Sequence, residues 1–541
     1  MVGSNGKLRM YFPEWGIYAR KHELSDIDYE KIDTLIYSFI DVDSQGNWIM
    51  RDTWASIDKR FMDPGTFVGE ADSWNGPQLP YYGNFNQLRK IKEKYPHLTI
   101  AVAIGGWTFS KFMSDAFMPQ NVQNLVSSAK KFIQQYPFFT EIVIDWEYPS
   151  IQGKLGMEGN KYSSDDPKNL LNGVKMMKEQ LPDIKISSAF VADPKKLDFD
   201  LKPFVPYLHA FDMMTYDFAS GAWGETVCSP HTNIRPTNYT NFSIMACLDH
   251  VIKMGVPTEK IVIGVAAYSR GFANTTGPGK PASGNSPDKS WEAGVVDYKS
   301  LPLSGAIEYY DPLSGSAYTY DANRRIYNSY DDVITVSEKC KLVNDMKLGG
   351  IIMWETSGDL PTDNQNSLIR QMNKCIVNRD YTYTKVPRIQ KEIFGDIVVK
   401  PIGKETTVPT TPTTPTTPTT PTVPSVPSVP TVPTTPTVPT TPTVPSVPTT
   451  PTVPSVPTTP SVPSVPVDNC VSLMFDTCPV FHGVQGQTSI VQVPIVQGKI
   501  NYKGTQKHYT CFQLEMDKDE LKSTELNKTK LMNIKVTKVL K

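Results

Sequence analysis

Eight parallel strands alternating with helices and closed into a TIM (β/α)8 barrel are the α/β fold that this sequence predicts for most of its length. Three observations lead there. Eight short, nearly continuous apolar runs follow one another over about 370 residues, as expected of strands buried on both faces of a parallel sheet. Amphipathic segments separate them. No Gly-x-Gly-x-x-Gly turn follows the first run, which favours the barrel over a doubly wound open sheet with the same alternation.

In chain order, the first strand is read at residues 7–12 and the second at 33–40. A helix at 84–95 leads to the third strand, 99–104. Within 119–136, Val122, Leu125, Val126, Ala129, Phe132 and Ile133 fall on one stripe at helical spacing, ahead of the fourth strand at 141–146. A helix at 167–181 precedes the fifth strand, 184–190, and the sixth is read at 211–216. A helix at 242–254 leads to the seventh strand, 261–268. Helices at 333–346 and 364–376 flank the eighth strand, 350–354. Residues 271–332 are too many for a loop and rich in Gly, Tyr, Ser and Asp, so a small α+β insertion is expected between strands seven and eight.

Three parts of the chain are expected in all. A barrel domain occupies residues 1–400. Residues 408–466 hold 20 of the chain's 46 prolines at every third position, with Thr, Ser or Val between. Polyproline II has three residues per turn, so this segment reads as a Pro/Thr-rich stalk of up to about 180 Å, of mucin-like composition. Residues 467–541 read as a small C-terminal module with Cys470, Cys478 and Cys511. Its function is not legible; binding to a surface glycan is one expectation.

Composition limits the partners. Lys and Arg number 54 against 55 Asp and Glu, so the chain lacks the basic excess of a nucleic-acid binder. No apolar run is long enough for a membrane span. Seven cysteines without zinc spacing exclude a disulfide scaffold and a structural metal, and no cofactor is expected. Met1 to Lys7 shows no apolar signal core, which implies a leaderless chain or a removed signal peptide.

The chemistry is expected at the C-terminal ends of the strands. The fourth strand ends Val143-Ile144-Asp145-Trp146-Glu147-Tyr148-Pro149, and alternation puts Val143, Asp145 and Glu147 on one face. Two acids one pleat apart on an apolar strand are costly to desolvate, so they mark a site more readily than a structural ion pair.

These residues, with others at successive strand ends, resemble the chitinases of glycoside hydrolase family 18, most like the bacterial-type subgroup with an insertion domain. Asp145 to Pro149 is similar to the end of the family's DxxDxDxE motif. Ala103-Ile104-Gly105-Gly106-Trp107 resembles SxGGW, Met214-Thr215-Tyr216-Asp217 resembles MxYD, and Tyr268-Ser269-Arg270 resembles YxR. Gly349 to Glu355 is similar to the terminal GGxxxWE, Trp291 to Tyr298 to the insertion's WExGxxDY, and Tyr11 to Gly16 to the family's opening segment.

The resemblance implies hydrolysis of β-1,4 bonds in chitin and chito-oligosaccharides by a retaining, substrate-assisted route. It implies Glu147 as general acid, Asp145 as the group that holds the substrate's acetamide, and Tyr216 as its hydrogen-bonding partner. It implies a substrate groove formed by Trp15, Gly106, Trp107, Tyr148, Met214, Asp217, Trp223, Trp291, Glu292 and Trp354, with Tyr11, Tyr268 and Arg270 as groove lining or barrel stabilisers. A secreted monomer is expected, and the glycosylation triplets at Asn238, Asn241, Asn274 and Asn527 fit that. His209 and His231 match no catalytic position and read as ordinary histidines.

Three positions depart from the pattern. Thr140 and Val143 stand where the first two motif acids are expected, and Ala103 stands for the serine. In the family those inner polar groups form a hydrogen-bonded chain beneath the Asp145 position. Their joint loss is expected to leave no half-satisfied polar group buried and no inner carboxyl for Asp145. The competing functions are a lectin-like chitin-binding barrel with little activity and an endo-β-N-acetylglucosaminidase acting on N-glycans.

Overall fold

The computed structural model describes residues 7–383 apart from 77, 154 and 241, together with five short strands between 491 and 539. Strand β1 (Lys7–Pro13) is followed by β2 (Thr34–Val42), which turns back onto the two-residue β3 (Trp48–Ile49). After α1 (Gly83–Lys94) comes β4 (Thr99–Gly105), then the short helices α2 (Gly106–Phe109) and α3 (Met113–Phe117) and the longer α4 (Val122–Gln135). The chain continues through β5 (Glu141–Asp145), α5 (Asp166–Gln180), β6 (Lys185–Val191), β7 (Phe211–Met214), α6 (Ile244–Lys253) and β8 (Ile261–Ala266). Strands β9 (Arg270–Phe272), β10 (Ile307–Asp311), β11 (Ser316–Asp321) and β12 (Ile326–Tyr330) precede α7 (Val333–Met346), β13 (Gly350–Trp354) and α8 (Leu368–Asn378).

The strands β1, β2, β4, β5, β6, β7, β8 and β13 pair in parallel, in that spatial order, and β13 closes on β1. Met10 is in register with Leu35 on one side and Met353 on the other, so no edge is left open. Side-chain period two splits the core. Outward-facing residues such as Leu8, Met10, Ile142, Ile144 and Met353 pack under the helices. Inward-facing Tyr11, Ile36, Ala101, Ala103, Val143, Val262 and Ile352 fill the barrel. The stripe read on α4 is the buried face of that helix. Helix starts are capped by side chains: Ser243 accepts from the Ala246 amide, Asp332 from Ile334 and Thr335, and Ser367 from Arg370.

Two boundaries moved from the sequence reading for local reasons. The sixth barrel strand stops at Met214, because Asp217 takes a left-handed conformation (φ 59°) that turns the chain out of the sheet. The seventh stops at Ala266, because Tyr268 pairs with Asp297 of the insertion instead.

The insertion is an antiparallel sheet in the order β10-β11-β12-β9, with one 3-10 turn at Tyr298–Ser300. Its core gathers Ala219, Cys228, Phe272, Ala282, Tyr318 and Tyr327. The observed strands begin and end within two residues of the expected 271–332.

The chain divides into two compact units, Met1–Thr411 and Pro412–Lys541. In the second, β14 (Val491–Val493), β17 (Phe512–Leu514) and β18 (Lys538–Val539) form one antiparallel sheet, and β15 (Gly498–Tyr502) pairs with β16 (Thr505–Tyr509). The expected stalk at 408–466, Cys470, Cys478, Cys511, Asn241 and Asn527 lie outside the described residues. Among the described residues no helix is long and apolar enough to cross a membrane.

Candidate active site

Asp145 is the last residue of β5, in register with Gly105 of β4, and Glu147 stands one pleat further on. Between them Trp146 points outward and stacks on Phe117 of α3 at 5.3 Å, which fixes the two acids on the inner face. The backbone of Glu147 is pinned from both sides. Its amide donates to Ser110 Oγ at 2.9 Å, and its carbonyl accepts from Asn160 Nδ2 at 3.2 Å. Ser110 in turn donates to the Gly106 carbonyl at 2.8 Å, which ties the fourth-strand turn to the start of α2.

The two carboxyls are electrostatically unusual. Burial pushes Asp145 up to about 7, with the charge of Asp212 adding and a hydrogen bond from Tyr11 opposing. Burial and the charge of Asp145 push Glu147 up to about 8, against hydrogen bonds from Tyr148 and the Trp107 amide. Glu147 therefore holds its proton at neutral pH, as a general acid must. Tyr11 Oη donates to Asp145 Oδ2 at 2.9 Å.

A second cluster faces them from the turns after β7 and β8. Asp217 accepts from Tyr268 Oη at 2.7 Å and from Arg270 through both oxygens at 2.8 Å. Burial alone would raise Asp217, but the Arg270 guanidinium outweighs it and holds the carboxyl well below the ordinary range. Tyr216 is buried beside it, its ring edge-on to Tyr268 at 6.3 Å. Gly264 of β8 makes room for that ring, since a Cβ there would meet Tyr216 Cδ1 at 2.7 Å.

A cleft of about 950 Å³ opens above these groups. Trp354 lies at its base, stacked on Phe39 at 5.6 Å and edge-on to Tyr11 at 5.2 Å. Trp15, Trp107, Trp223 and Trp291 line it while keeping 37% to 51% of their surface exposed, so each offers a free ring face. Two of these platforms are backed by arginines. Arg270 lies 5.1 Å from the Trp223 ring, and Arg20 lies 4.6 Å from that of Trp291. Trp291 is further held by donation from Nε1 to Asp297 Oδ2 at 2.9 Å. Flat apolar faces beside buried acids suit a saccharide, whose rings present C–H faces and whose edges present hydroxyls.

Fourteen of the sixteen residues expected at the site line this cleft: Trp15, Trp107, Asp145, Glu147, Tyr148, Met214, Tyr216, Asp217, Trp223, Tyr268, Arg270, Trp291, Glu292 and Trp354. Two do not. Tyr11 lies beneath Asp145 inside the barrel, 1% exposed, and supports the acid rather than lining the groove. Gly106 is a buried conformational residue: its φ is 74°, and a Cβ would meet the Phe39 ring at 2.7 Å.

Sequence reasoning missed several groups. His231 is not a bystander, because its Nδ1 accepts from the Asp217 amide at 3.3 Å. Arg20, Phe39 and Asp297 shape the cleft through partners distant in sequence, for which no local signal exists. The expectation that the inner polar chain is lost without residue is overturned. Val143 and Ala103 do pack in an apolar layer, but buried Asp145 Oδ1 finds no hydrogen-bond partner among the described residues. Three charged side chains, Arg9, Glu141 and Asp212, are also buried in the barrel interior.

Comparison with known proteins agrees with this geometry. The family model described as glycosyl hydrolases family 18 matches residues 7–359. The chain is 31% identical over 368 residues to Endochitinase 1 of Metarhizium robertsii, covering 65% of this chain and 81% of that protein. It is 29% identical over 398 residues to Chitinase 1 of Aphanocladium album, covering 70% and 88%. Among solved structures, the catalytic domain of psychrophilic chitinase B from Arthrobacter TAD20 superposes with a TM-score of 0.62 at 25% identity, covering 69% of this chain and 96% of that one.

Proposed function

The chain belongs to glycosyl hydrolase family 18, and from that premise we propose that it is a chitinase that hydrolyses β-1,4 bonds between N-acetylglucosamine units. The observation that carries the reading is the adjacent pair Asp145 and Glu147, both held protonatable near neutral pH, at the floor of a cleft walled by exposed tryptophans.

Glu147 protonates the glycosidic oxygen and the leaving sugar departs. The carbonyl oxygen of the substrate's own 2-acetamido group attacks the anomeric carbon, so the protein supplies no nucleophile of its own. Asp145 accepts the acetamide N–H and offsets the positive charge that develops on the cyclic intermediate. Tyr216 donates to the acetamide oxygen and sets its angle of attack. Glu147, now ionised, takes a proton from the water that opens the intermediate and is restored, with the β-configuration kept. Trp354 forms the floor beneath the sugar that reacts. Trp15, Trp107, Trp223 and Trp291 hold flanking sugars, and Met214, Tyr148, Tyr268, Arg270 and Glu292 shape the walls. Asp217, clamped by Arg270, holds the wall beside Tyr216 in place.

Neither alternative is favoured by a particular observation. A lectin-like barrel would have no use for a buried acid that keeps its proton, and an N-glycan hydrolase no use for this row of flat platforms. The chain acts as a secreted monomer; exposed Asn238 and Asn274 support secretion. The C-terminal module holds the barrel near a glycan surface. Proton NMR of chitohexaose during its first turnovers tests the reading: β-anomeric product is expected. Absence of cleavage, or α-anomeric product, would refute it.

A further inference from the structure

Below Asp145 the barrel interior is charged. Inward positions alternate along each strand, so Arg9 lies one pleat below Tyr11 on β1, and Glu141 lies two pleats below Asp145 on β5 with Val143 between. Asp212 lies one pleat below Met214 on β7. Arg9 Nη2 donates to Glu141 Oε1 at 2.7 Å and to Asp212 Oδ2 at 2.9 Å, and Ser187 of β6 also donates to Glu141. These charged residues are 2%, 0% and 0% exposed.

Two carboxylate oxygens in this interior have no hydrogen-bond partner among the described residues, Asp145 Oδ1 and Asp212 Oδ1. Both residues bear electrostatically on Tyr11, and Asp212 bears on Asp145 itself. One guanidinium stands against three carboxyls. Arg9 offsets a single negative charge, so full ionisation would leave two buried charges uncompensated, which costs far more than keeping a proton among them. On β5, the position where the family pattern carries an inner acid holds Val143, in register with Ala103 and Ser187.

We propose that Asp212, on β7, is the inner carboxyl of this active site, sharing one proton with Asp145 through their two unpartnered oxygens, directly or across one water, while Arg9 and Glu141 hold it in place. This rests on the reading of Asp145 given above and adds a positioning residue to it; Asp212 does not touch substrate. At rest the two oxygens share the proton. As positive charge develops on the acetamide, the proton passes to Asp212 Oδ1 and Asp145 becomes fully anionic; it returns when product leaves. No other bond changes. The inner acid has moved two strands round the barrel.

The groups that face this pair are Arg9 and Tyr11 from β1, Glu141 and Glu147 from β5 and its turn, and Tyr216 and Asp217 from β7 and its turn. Among the described residues Arg9 is the one cation paired with Asp212, and Arg270 is committed to Asp217. Ala103, Ser187, Gly264 and Trp354, from β4, β6, β8 and β13, do not titrate here.

Asp212→Asn keeps the shape and removes the charge that opposes ionisation of Asp145. The acidic limb of the pH profile of kcat/KM on a fluorogenic chito-oligosaccharide should move down by about one unit or more. At the optimum, kcat should fall about tenfold with KM nearly unchanged, because a step after binding has lost its proton acceptor. Val143→Asp placed in that background returns a carboxyl to the same interior from β5, and should move the limb back and recover several-fold in kcat. A folded Asp212→Asn variant with the parent's limb and rate would overturn the proposal and leave Asp212 as an ion-pair partner only. If Asp212→Asn does not fold, the double variant decides alone: a parent-like limb supports the proposal, and an inactive or unfolded double variant overturns it. Failure of the underlying reading would appear in the parent chain, as absence of hydrolysis, and not as a difference between variants.

Discussion

Tyr11→Phe removes one atom from the site and should change its pH response in a direction that can be worked out in advance. The Tyr11 ring is held by Trp354 at 5.2 Å and Phe39 at 6.0 Å, and Phe preserves both contacts. What disappears is the 2.9 Å donation to Asp145 Oδ2, and Oδ1 already has no partner among the described residues. A hydrogen bond to a charged group is worth about 1.5–3 kcal/mol, or roughly one to two pKa units at 1.36 kcal/mol each. Because the bond favours the ionised acid, its loss raises Asp145 further above the ordinary range. Asp145 acts ionised, so the acidic limb of kcat/KM should move up by about one to two units. Below that limb the rate at a given pH should fall about 10- to 100-fold. The limb would then meet the alkaline limb set by Glu147 near 8, so the profile should narrow and its peak should drop. Initial rates on a fluorogenic chitotrioside from pH 4 to 10, with thermal melts to confirm folding, measure this. An acidic limb unchanged from the parent would refute the argument that Tyr11 tunes Asp145.

Two other outcomes follow from the same geometry. The folded-state pKa of Glu147 is raised, so the native state binds more protons than the unfolded chain between the ordinary carboxylate range and about 8, and stability declines as pH rises through that window. Glu147→Gln removes the titration, so its melting temperature should match the parent's near pH 4 and exceed it increasingly toward pH 9; melts across that range check the sign. Trp15→Ala and Trp107→Ala should each lower kcat/KM on polymer by about tenfold but change a disaccharide substrate little, because each deletes a stacking face beyond the reacting sugar. Equal losses on both substrates would indicate a folding defect instead.

How legible the protein was in its sequence depended on whether the governing contact was local. Barrel strands and helices announced themselves through periodicity, and the stripe on α4 matched its buried face residue for residue. The paired acids were visible because two carboxylates on an apolar strand break the pattern of that strand. Tyr11 reads from its motif as groove lining or barrel stabiliser and Gly106 as groove, since a motif does not say whether a residue faces the cleft or supports the group that does. Arg9, Glu141 and Asp212 escaped notice because each reads as an isolated charge on its own strand. Only barrel closure brings residues 9, 141 and 212 together, and with them the answer to what replaces the missing acid at Val143. The same holds for Arg20, whose partners Glu355 and Asp297 lie hundreds of residues away.

The most direct test of the central claim is the turnover of Glu147→Gln on a chito-oligosaccharide, measured beside its binding affinity by calorimetry. The amide keeps the shape and backbone anchors of Glu147 but has no proton to give the leaving oxygen. The expected result is affinity close to the parent's and a kcat lower by about two to four orders of magnitude. A variant that hydrolyses the substrate at the parent's rate would contradict it, because the proton would then have come from another group.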